Sequence, residues 1–342
     1  MSKTPSVLIS GFGDEAAVTK LGIEQVSVFA ALGLDYYSLR FVDLGNGIKN
    51  VMQLNKREVR SLTRLNQDYG LNVATIGSPI GKIKLKDVND GTKNPYIAPK
   101  KYLTEDVARA IEMAHAFDTK LLRGFSFYHP QTAPPEDYLS EAIDRVGAIA
   151  EACGKSDVIF GLEVEANLVG QTGKLLAKMY KKIKHPNLML IFDGANLSAQ
   201  GMTTEEVFEE YRAMRNGIGW IHIKDYRTNP SLKQHPQKNK ATAPVNEDAL
   251  TDFVPADIGD SGHEAILRDF RDCLPALEKK LKRMGVPGVF LDLEPHLKKG
   301  GQFGGFSGPD GMGVALRALN SLLDYVKIDY RLRDFESVLS VR

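Results

Sequence analysis

Four stretches of this chain share one design: an apolar run, rich in β-branched and aromatic residues, that stops on a titratable side chain. They are Asp157-Val158-Ile159-Phe160-Gly161-Leu162-Glu163-Val164-Glu165, Leu188-Met189-Leu190-Ile191-Phe192-Asp193, Trp220-Ile221-His222-Ile223-Lys224-Asp225 and Val289-Phe290-Leu291-Asp292-Leu293-Glu294. A run apolar on both faces reads as a strand buried in a parallel sheet, and its polar end as the point where that sheet opens onto a site. Taken singly, each group also has a structural reading: a carboxylate that caps the next helix, or a hydrogen-bonded core histidine. Their repetition at one end of four strands favours a shared site. In a parallel barrel the C-terminal strand ends converge on one pocket, so Glu163, Asp193, His222 and Glu294 could share one divalent metal ion.

The rest of the chain alternates in the same sense. Strands are expected at 7–12, 34–40, 71–76 and 120–126, ahead of those four. Helices are expected near 21–32, 55–70, 104–117, 137–153, 172–182, 204–214, 264–284 and 310–326, the second opened by a capping pair, Asn55 and Glu58. Eight strand-then-helix units without a composition break predict one α/β domain, a (β/α)8 TIM barrel over residues 1–326. A doubly wound sheet would want a full glycine fingerprint after strand one, and Gly11-Phe12-Gly13 supplies only its first two glycines. An irregular insertion at about 227–256, with prolines at 230, 236, 244 and 255, is expected to close over the pocket as a lid. Residues 327–342 form a charged tail, expected to pack on a neighbouring subunit.

Composition narrows the functional classes. A formal charge of +1 over 342 residues creates no long-range field for nucleic acid or an anionic membrane. Cys153 and Cys273, each on an expected helix, make neither a disulfide framework nor a thiolate metal site, which fits a reducing compartment. No apolar signal core precedes the first strand and no run of about 18 apolar residues occurs, so the expected location is cytoplasmic.

Three carboxylates and one imidazole suit manganese best, with magnesium, cobalt or zinc as alternatives. One such ion would polarise a bound carbonyl and acidify the adjacent C–H, and Glu163 and Glu294 are the candidate bases. Glu165, Asn196, Lys224, Asp225 and His296 are candidates for binding substrate hydroxyls. Arg40, Lys82 and Arg123 could hold a phosphate or carboxylate, or instead pair with barrel carboxylates such as Asp14 and Glu15.

Several stretches carry a family resemblance: Ile9-Ser10-Gly11-Phe12-Gly13-Asp14-Glu15, Gly77-Ser78-Pro79-Ile80-Gly81-Lys82-Ile83, Phe125-Ser126-Phe127-Tyr128, Phe192-Asp193-Gly194-Ala195-Asn196-Leu197, His222-Ile223-Lys224-Asp225 and Leu293-Glu294-Pro295-His296-Leu297. With them the chain resembles the sugar phosphate isomerase/epimerase family of the xylose-isomerase-like TIM-barrel superfamily. The resemblance implies a metal held by Glu163, Asp193, His222 and Glu294, and a homo-oligomer. Many relatives have Glu-Asn-Glu where this chain has Glu163-Val164-Glu165, which brings in Glu165 as a rival ligand, though Gly170-Gln171-Thr172 aligns Glu163. Many also have a histidine where Asn196 stands, and the insertion is long for the family.

The expected function is a metal-dependent isomerase or epimerase of a sugar, keto-sugar or cyclitol. The alternative is a lyase acting on oxidised (3-keto) glycosides, with a small partner subunit, by the same proton abstraction. An apurinic-site endonuclease on this barrel needs three zinc ions and more histidines at strand ends than His129, His222 and His296. An inactive binding subunit would have no reason to keep all four candidate ligands.

Overall fold

Parallel strands alternate with helices throughout the computed structural model, which describes residues 4–89, 92–130, 132–227, 253–301 and 304–340. The strands are β1 Ser6–Gly11, β2 Tyr36–Leu39, β3 Asn72–Ile76, β4 Leu121–Gly124, β5 Ile159–Glu163, β6 Leu188–Asp193, β7 Ile218–Ile223 and β8 Phe290–Leu293. They run in the order β1-β8-β7-β6-β5-β4-β3-β2, each parallel to its neighbours. A bridge between Phe12 and Ser38 closes the ring from β1 to β2. The chain is therefore the expected (β/α)8 barrel.

The outer helices are α1 Gly22–Ala31, α2 Lys56–Asp68, α3 Ala108–Ala116, α4 Leu139–Lys155, α5 Gly173–Ile183, α6 Thr204–Met214, α7 His263–Arg283 and α8 Gly308–Val326. The capping pair forms as read: Asn55 Oδ1 accepts from the N–H of Glu58 at 3.0 Å, and Glu58 Oε2 from that of Asn55 at 2.9 Å. Helical structure before α3 starts earlier than expected, at Pro99–Tyr102, and passes through a π-turn at Leu103–Val107. Pro99 sits in its first turn, where the missing N–H costs no bond.

The barrel interior explains why a glycine stands in the middle of β5. Trp220 is fully buried, and a Cβ on Gly161 would lie 2.1 Å from its ring. The glycine makes room for an indole that plugs the barrel, and the polar strand ends lie beyond it.

The first residues of the tail are tied to the barrel. Ile328 is buried, Asp329–Tyr330 extends the sheet beside β1, and Arg333 donates to Asp35 Oδ1 at 2.7 Å and to the Tyr69 carbonyl at 3.0 Å. Those bonds dock residues 328–333 on their own barrel, while Phe335 and Leu339 beyond them stay exposed. At the insertion, Asp225–Tyr226 pairs antiparallel with Phe253–Val254. The expected lid falls largely on 228–252, outside the described residues. No helix among the described residues is long and apolar enough to cross a membrane.

Candidate functional site

Register brings the candidate ligands together. His222 pairs with Asp193 on one side and Asp292 on the other, so the three side chains project on one side of the sheet. The two-residue period then turns Glu294 the same way as Asp292. Ligand atoms of Glu163, Asp193, His222 and Glu294, all buried, lie within 4.8 Å of one another. His222 points Nδ1 at Glu163 Oε1 (3.2 Å) and Glu294 Oε2 (3.6 Å).

Asp193 satisfies both readings of a strand-end carboxylate. Its Oδ1 accepts the N–H of Asn196 at 3.0 Å, capping the short helix Gly194–Ser198. Its Oδ2 faces the Lys224 ammonium at 2.9 Å but takes no aligned hydrogen bond. A buried carboxylate oxygen left in that condition is what a metal donor looks like without its ion.

Cations crowd the same space. Arg40 donates through Nε and Nη2 to Asp14 (3.0 to 3.2 Å) and through Nη1 to Glu294. Arg123 reaches Glu163 Oε2 at 3.3 Å, and Lys224 reaches Glu294 Oε2 at 3.3 Å. Burial raises the pKa of Glu163, but the imidazole of His222 and the guanidinium of Arg123 outweigh it and hold the group at about 2. Glu294 is also pushed up by burial and pulled further down, to well below the carboxylate range, chiefly by Lys224 and Arg40. Burial raises Asp193, and the nearby Glu163 and Glu294 add to it, so that Lys224 cannot restore an ordinary value. His222 is pushed down by burial and raised on balance by Glu163 and Glu294.

One residue essential to this geometry escaped the sequence reading. Asp292, buried, accepts from Ser10 Oγ at 3.0 Å and Ser38 Oγ at 2.6 Å, and its Oδ2 lies 3.9 Å from His222 Nε2. The ring makes its hydrogen bond through Nδ1 to Glu163 Oε1 at 3.2 Å; were Nδ1 to ligate an ion, a carboxylate on the Nε2 side would favour the proton there and leave the Nδ1 lone pair for the metal. The signal was available: Asp292 and Glu294 are two apart on one strand and so face the same way. The donor set thus fits one divalent ion, held by Glu163, Asp193, His222 and Glu294 with Asp292 behind the imidazole.

A cavity of about 340 Å³ opens above the centre. Arg40, Lys82, Arg123, Glu163, Glu165, Asn196, Lys224, Glu294 and His296 all line it, as the substrate-binding reading requires. Asp225 does not. Its buried Oδ1 accepts the N–H groups of Tyr226 (2.7 Å) and Ser261 (2.9 Å), which braces the loop after β7 away from the cavity lining. Asn196 donates to Glu163 Oε1 at 3.3 Å and to the Val164 carbonyl at 3.1 Å, steadying the glutamate. Glu165, the rival ligand, stays at the rim and pairs with Lys82 at 2.9 Å. Glu15, fully buried, takes His296 Nδ1 at 2.5 Å and Ser307 Oγ at 3.0 Å, which anchors the loop after β8.

Strand ends that gather carboxylates and an imidazole beneath one cavity define a barrel with a functional C-terminal face. The chain belongs to the xylose isomerase-like TIM barrel family, whose model matches residues 26–322. Among solved structures, a xylose isomerase-like TIM barrel protein from Mycobacterium smegmatis, in complex with magnesium, is 17% identical, with 95% of this chain matching 97% of that one at a TM-score of 0.60. The probable 3-DHS dehydratase AsbF from Bacillus anthracis is 18% identical over 92% of this chain and 98% of its own, at 0.59. A D-allulose 3-epimerase from Methylomonas sp. is 13% identical over 94% and 100%, at 0.58. At such identities the likeness is one of fold. No curated protein matches the chain by sequence.

Proposed function

We propose that this protein is a divalent-metal-dependent isomerase or epimerase of a sugar, keto-sugar or cyclitol, working by proton abstraction next to a bound carbonyl. The observation that carries the reading is the convergence of Glu163, Asp193, His222 and Glu294 within 4.8 Å, beneath a cavity of about 340 Å³. Manganese is the preferred ion on the chemistry of the donors, and magnesium is supported by the complex formed by the mycobacterial relative. When bound, the ion supplies Lewis acidity to a substrate oxygen.

The chain's own groups do the rest. Glu163 and Glu294, both with depressed pKa values, are ionised at neutral pH and accept the proton from the carbon beside the carbonyl. Two carboxylates facing one cavity permit removal on one face and return on the other, which is epimerisation. Return to the neighbouring carbon is isomerisation. Phe41, Phe125 and Phe253 wall the cavity and exclude water from the charged intermediate.

The lyase reading has a specific support of its own, since the relative AsbF is named a probable dehydratase. Elimination would begin with the same proton removal and end with loss of a neighbouring group. One experiment separates the readings: incubation of metal-loaded protein in deuterium oxide with keto-sugars, inososes and 3-keto-glycosides, followed by NMR and mass spectrometry. Solvent deuterium in a rearranged sugar is the expected result, and release of an aglycone would favour the lyase. Turnover without solvent label would defeat proton abstraction altogether. Glu163→Gln and Glu294→Gln should each lose about three orders of magnitude in rate or more.

A further inference from the structure

The cations that line the cavity are the feature that proton abstraction leaves unused, and their pairing bears on what the cavity admits. We infer that it takes an uncharged polyhydroxy carbonyl compound and rejects the phosphate esters of the same sugars, with Glu165 as the residue that enforces the choice. The inference rests on the proposed chemistry only for the carbonyl; the charge argument stands on geometry.

Arg40, Lys82, Arg123 and Lys224 are the lysines and arginines among the described residues that line the cavity. Each is already matched. Arg40 holds Asp14 and Glu294, and its guanidinium lies 4.5 Å above the Phe12 ring. Arg123 pairs with Glu163 at 3.3 Å, donates to the Gly77 carbonyl at 3.4 Å, and lies 4.9 Å from both the Phe12 and Phe125 rings. Lys224 stands between Asp193 and Glu294, at 2.9 and 3.3 Å. Asp14, Glu15, Glu163, Glu165, Asp193 and Glu294 are six carboxylates against these four cations and Lys20, which shares Asp14 with Arg40. A divalent ion held by Glu163, Asp193 and Glu294 draws on the carboxylates that answer Arg123, Lys224 and Arg40, and its two charges bring this set from one negative charge in excess to one positive. Among the described residues, no pair of unanswered cations therefore remains for the roughly two negative charges of a phosphate ester near neutral pH.

Three of the four cations are locked as well as matched, with side chains 5 to 8% exposed. Lys82 differs: its side chain is 36% exposed at the rim, over the Phe125 ring at 4.3 Å, where an incoming phosphate would meet it first. Its partner, Glu165 at 2.9 Å, puts a carboxylate on the same approach and would repel that phosphate. The remaining wall is made of Phe41, Phe125, Phe253 and Pro79 with the amides of Asn50 and Asn196, surfaces suited to the C–H faces and hydroxyls of a neutral polyol.

The test reads binding, not turnover, so it can fail independently of the proposed reaction. Magnesium-loaded wild type, Glu165→Gln, Lys82→Ala and the double variant are titrated calorimetrically with inorganic phosphate and with D-fructose 6-phosphate. Wild type should show no saturable binding of either up to about 10 mM. Glu165→Gln should gain binding by about tenfold or more, and the double variant should lose that gain. The inference is overturned if wild type binds either probe below about 1 mM, or if Glu165→Gln gains nothing. Because both substitutions lie at the solvent-facing rim, neither removes a core contact on which folding depends.

Discussion

Lys224 sits where its removal should separate the metal-free from the metal-loaded protein. Its ammonium is buried between Asp193 and Glu294, and although burial pushes its pKa down, those two carboxylates raise it on balance. Lys224→Met keeps the length of the side chain and deletes the charge. Breaking a buried ion pair from one side typically costs 3 to 5 kcal/mol, and about 3 kcal/mol is expected here. The lower figure follows because Arg40 still answers Glu294, and because Asp193, with its raised pKa, can take up a proton. At roughly 2 °C per kcal/mol for a chain this large, the metal-free protein should melt about 6 °C lower. A divalent ion held by the same carboxylates takes over the role of the ammonium, so with saturating manganese most of that loss should vanish. The difference must then appear as tighter metal binding: about 3 kcal/mol is about a hundredfold in affinity if all of it is expressed. Calorimetric melting with and without manganese, together with a titration that counts free manganese by its electron spin resonance signal, measures both quantities. An equal fall in Tm under the two conditions, with unchanged metal affinity, would refute the claim that Lys224 and the ion share their carboxylates.

Glu15 is raised by burial but lowered on balance, chiefly by His296, so its stabilisation is complete above the ordinary value of 4.5 and fades as pH falls below it. Between about pH 5 and about pH 3, Tm should fall more steeply in wild type than in Glu15→Gln, and equal slopes would count against the buried ion pair. Burial lifts the Cys153 thiol to about 12 and raises Cys273 as well, so neither should react quickly with a disulfide reagent at about pH 8 until the protein is unfolded. Gly161→Ala should cost about 1 to 3 kcal/mol by forcing a Cβ to 2.1 Å from Trp220, and Trp220→Phe should relieve part of that cost in the double variant. Additive losses would mean that the two residues do not meet.

The parts of this fold that were legible in the sequence are those in which local pattern and tertiary role coincide. Apolar runs of Val, Ile, Leu and Phe can be buried on both faces only in a parallel sheet, so the last four strands and their polar ends could be placed closely. Where local chemistry pulled against the final role, the reading fell short. The helix expected from 104 begins at Pro99. The charged tail was read as reaching for a neighbouring subunit, and nothing local shows that Arg333 spends its guanidinium on Asp35 and on the carbonyls of Tyr69 and Gly70. Asp225 shares its stretch with His222, but a bulk property such as polarity cannot say that its Oδ1 braces two backbone N–H groups outside the cavity lining. Pairing among side chains far apart in sequence, such as Arg40 with Asp14 and Glu294, was left open between two readings because nothing local decides it.

Asp292 shows what a stricter use of strand period would have found, and it carries a prediction of its own. Burial raises its pKa, with His222, Ser38 and Ser10 offsetting part of the shift, so the carboxylate is kept where a neutral amide would be less costly. Asp292→Asn should therefore leave the metal-free protein about as stable as wild type. The amide can instead present its NH2 to His222 Nε2, which stabilises the tautomer with its proton on Nδ1, the nitrogen that faces Glu163 and Glu294. Metal binding must then pay for a tautomer change, and affinity should fall about 10- to 100-fold, the usual consequence of losing a carboxylate behind a ligating histidine. The readouts are a manganese titration and the nitrogen chemical shifts of the His222 ring, which distinguish the tautomers. Unchanged affinity with an unchanged tautomer would show that the 3.9 Å approach of Asp292 does not orient the imidazole.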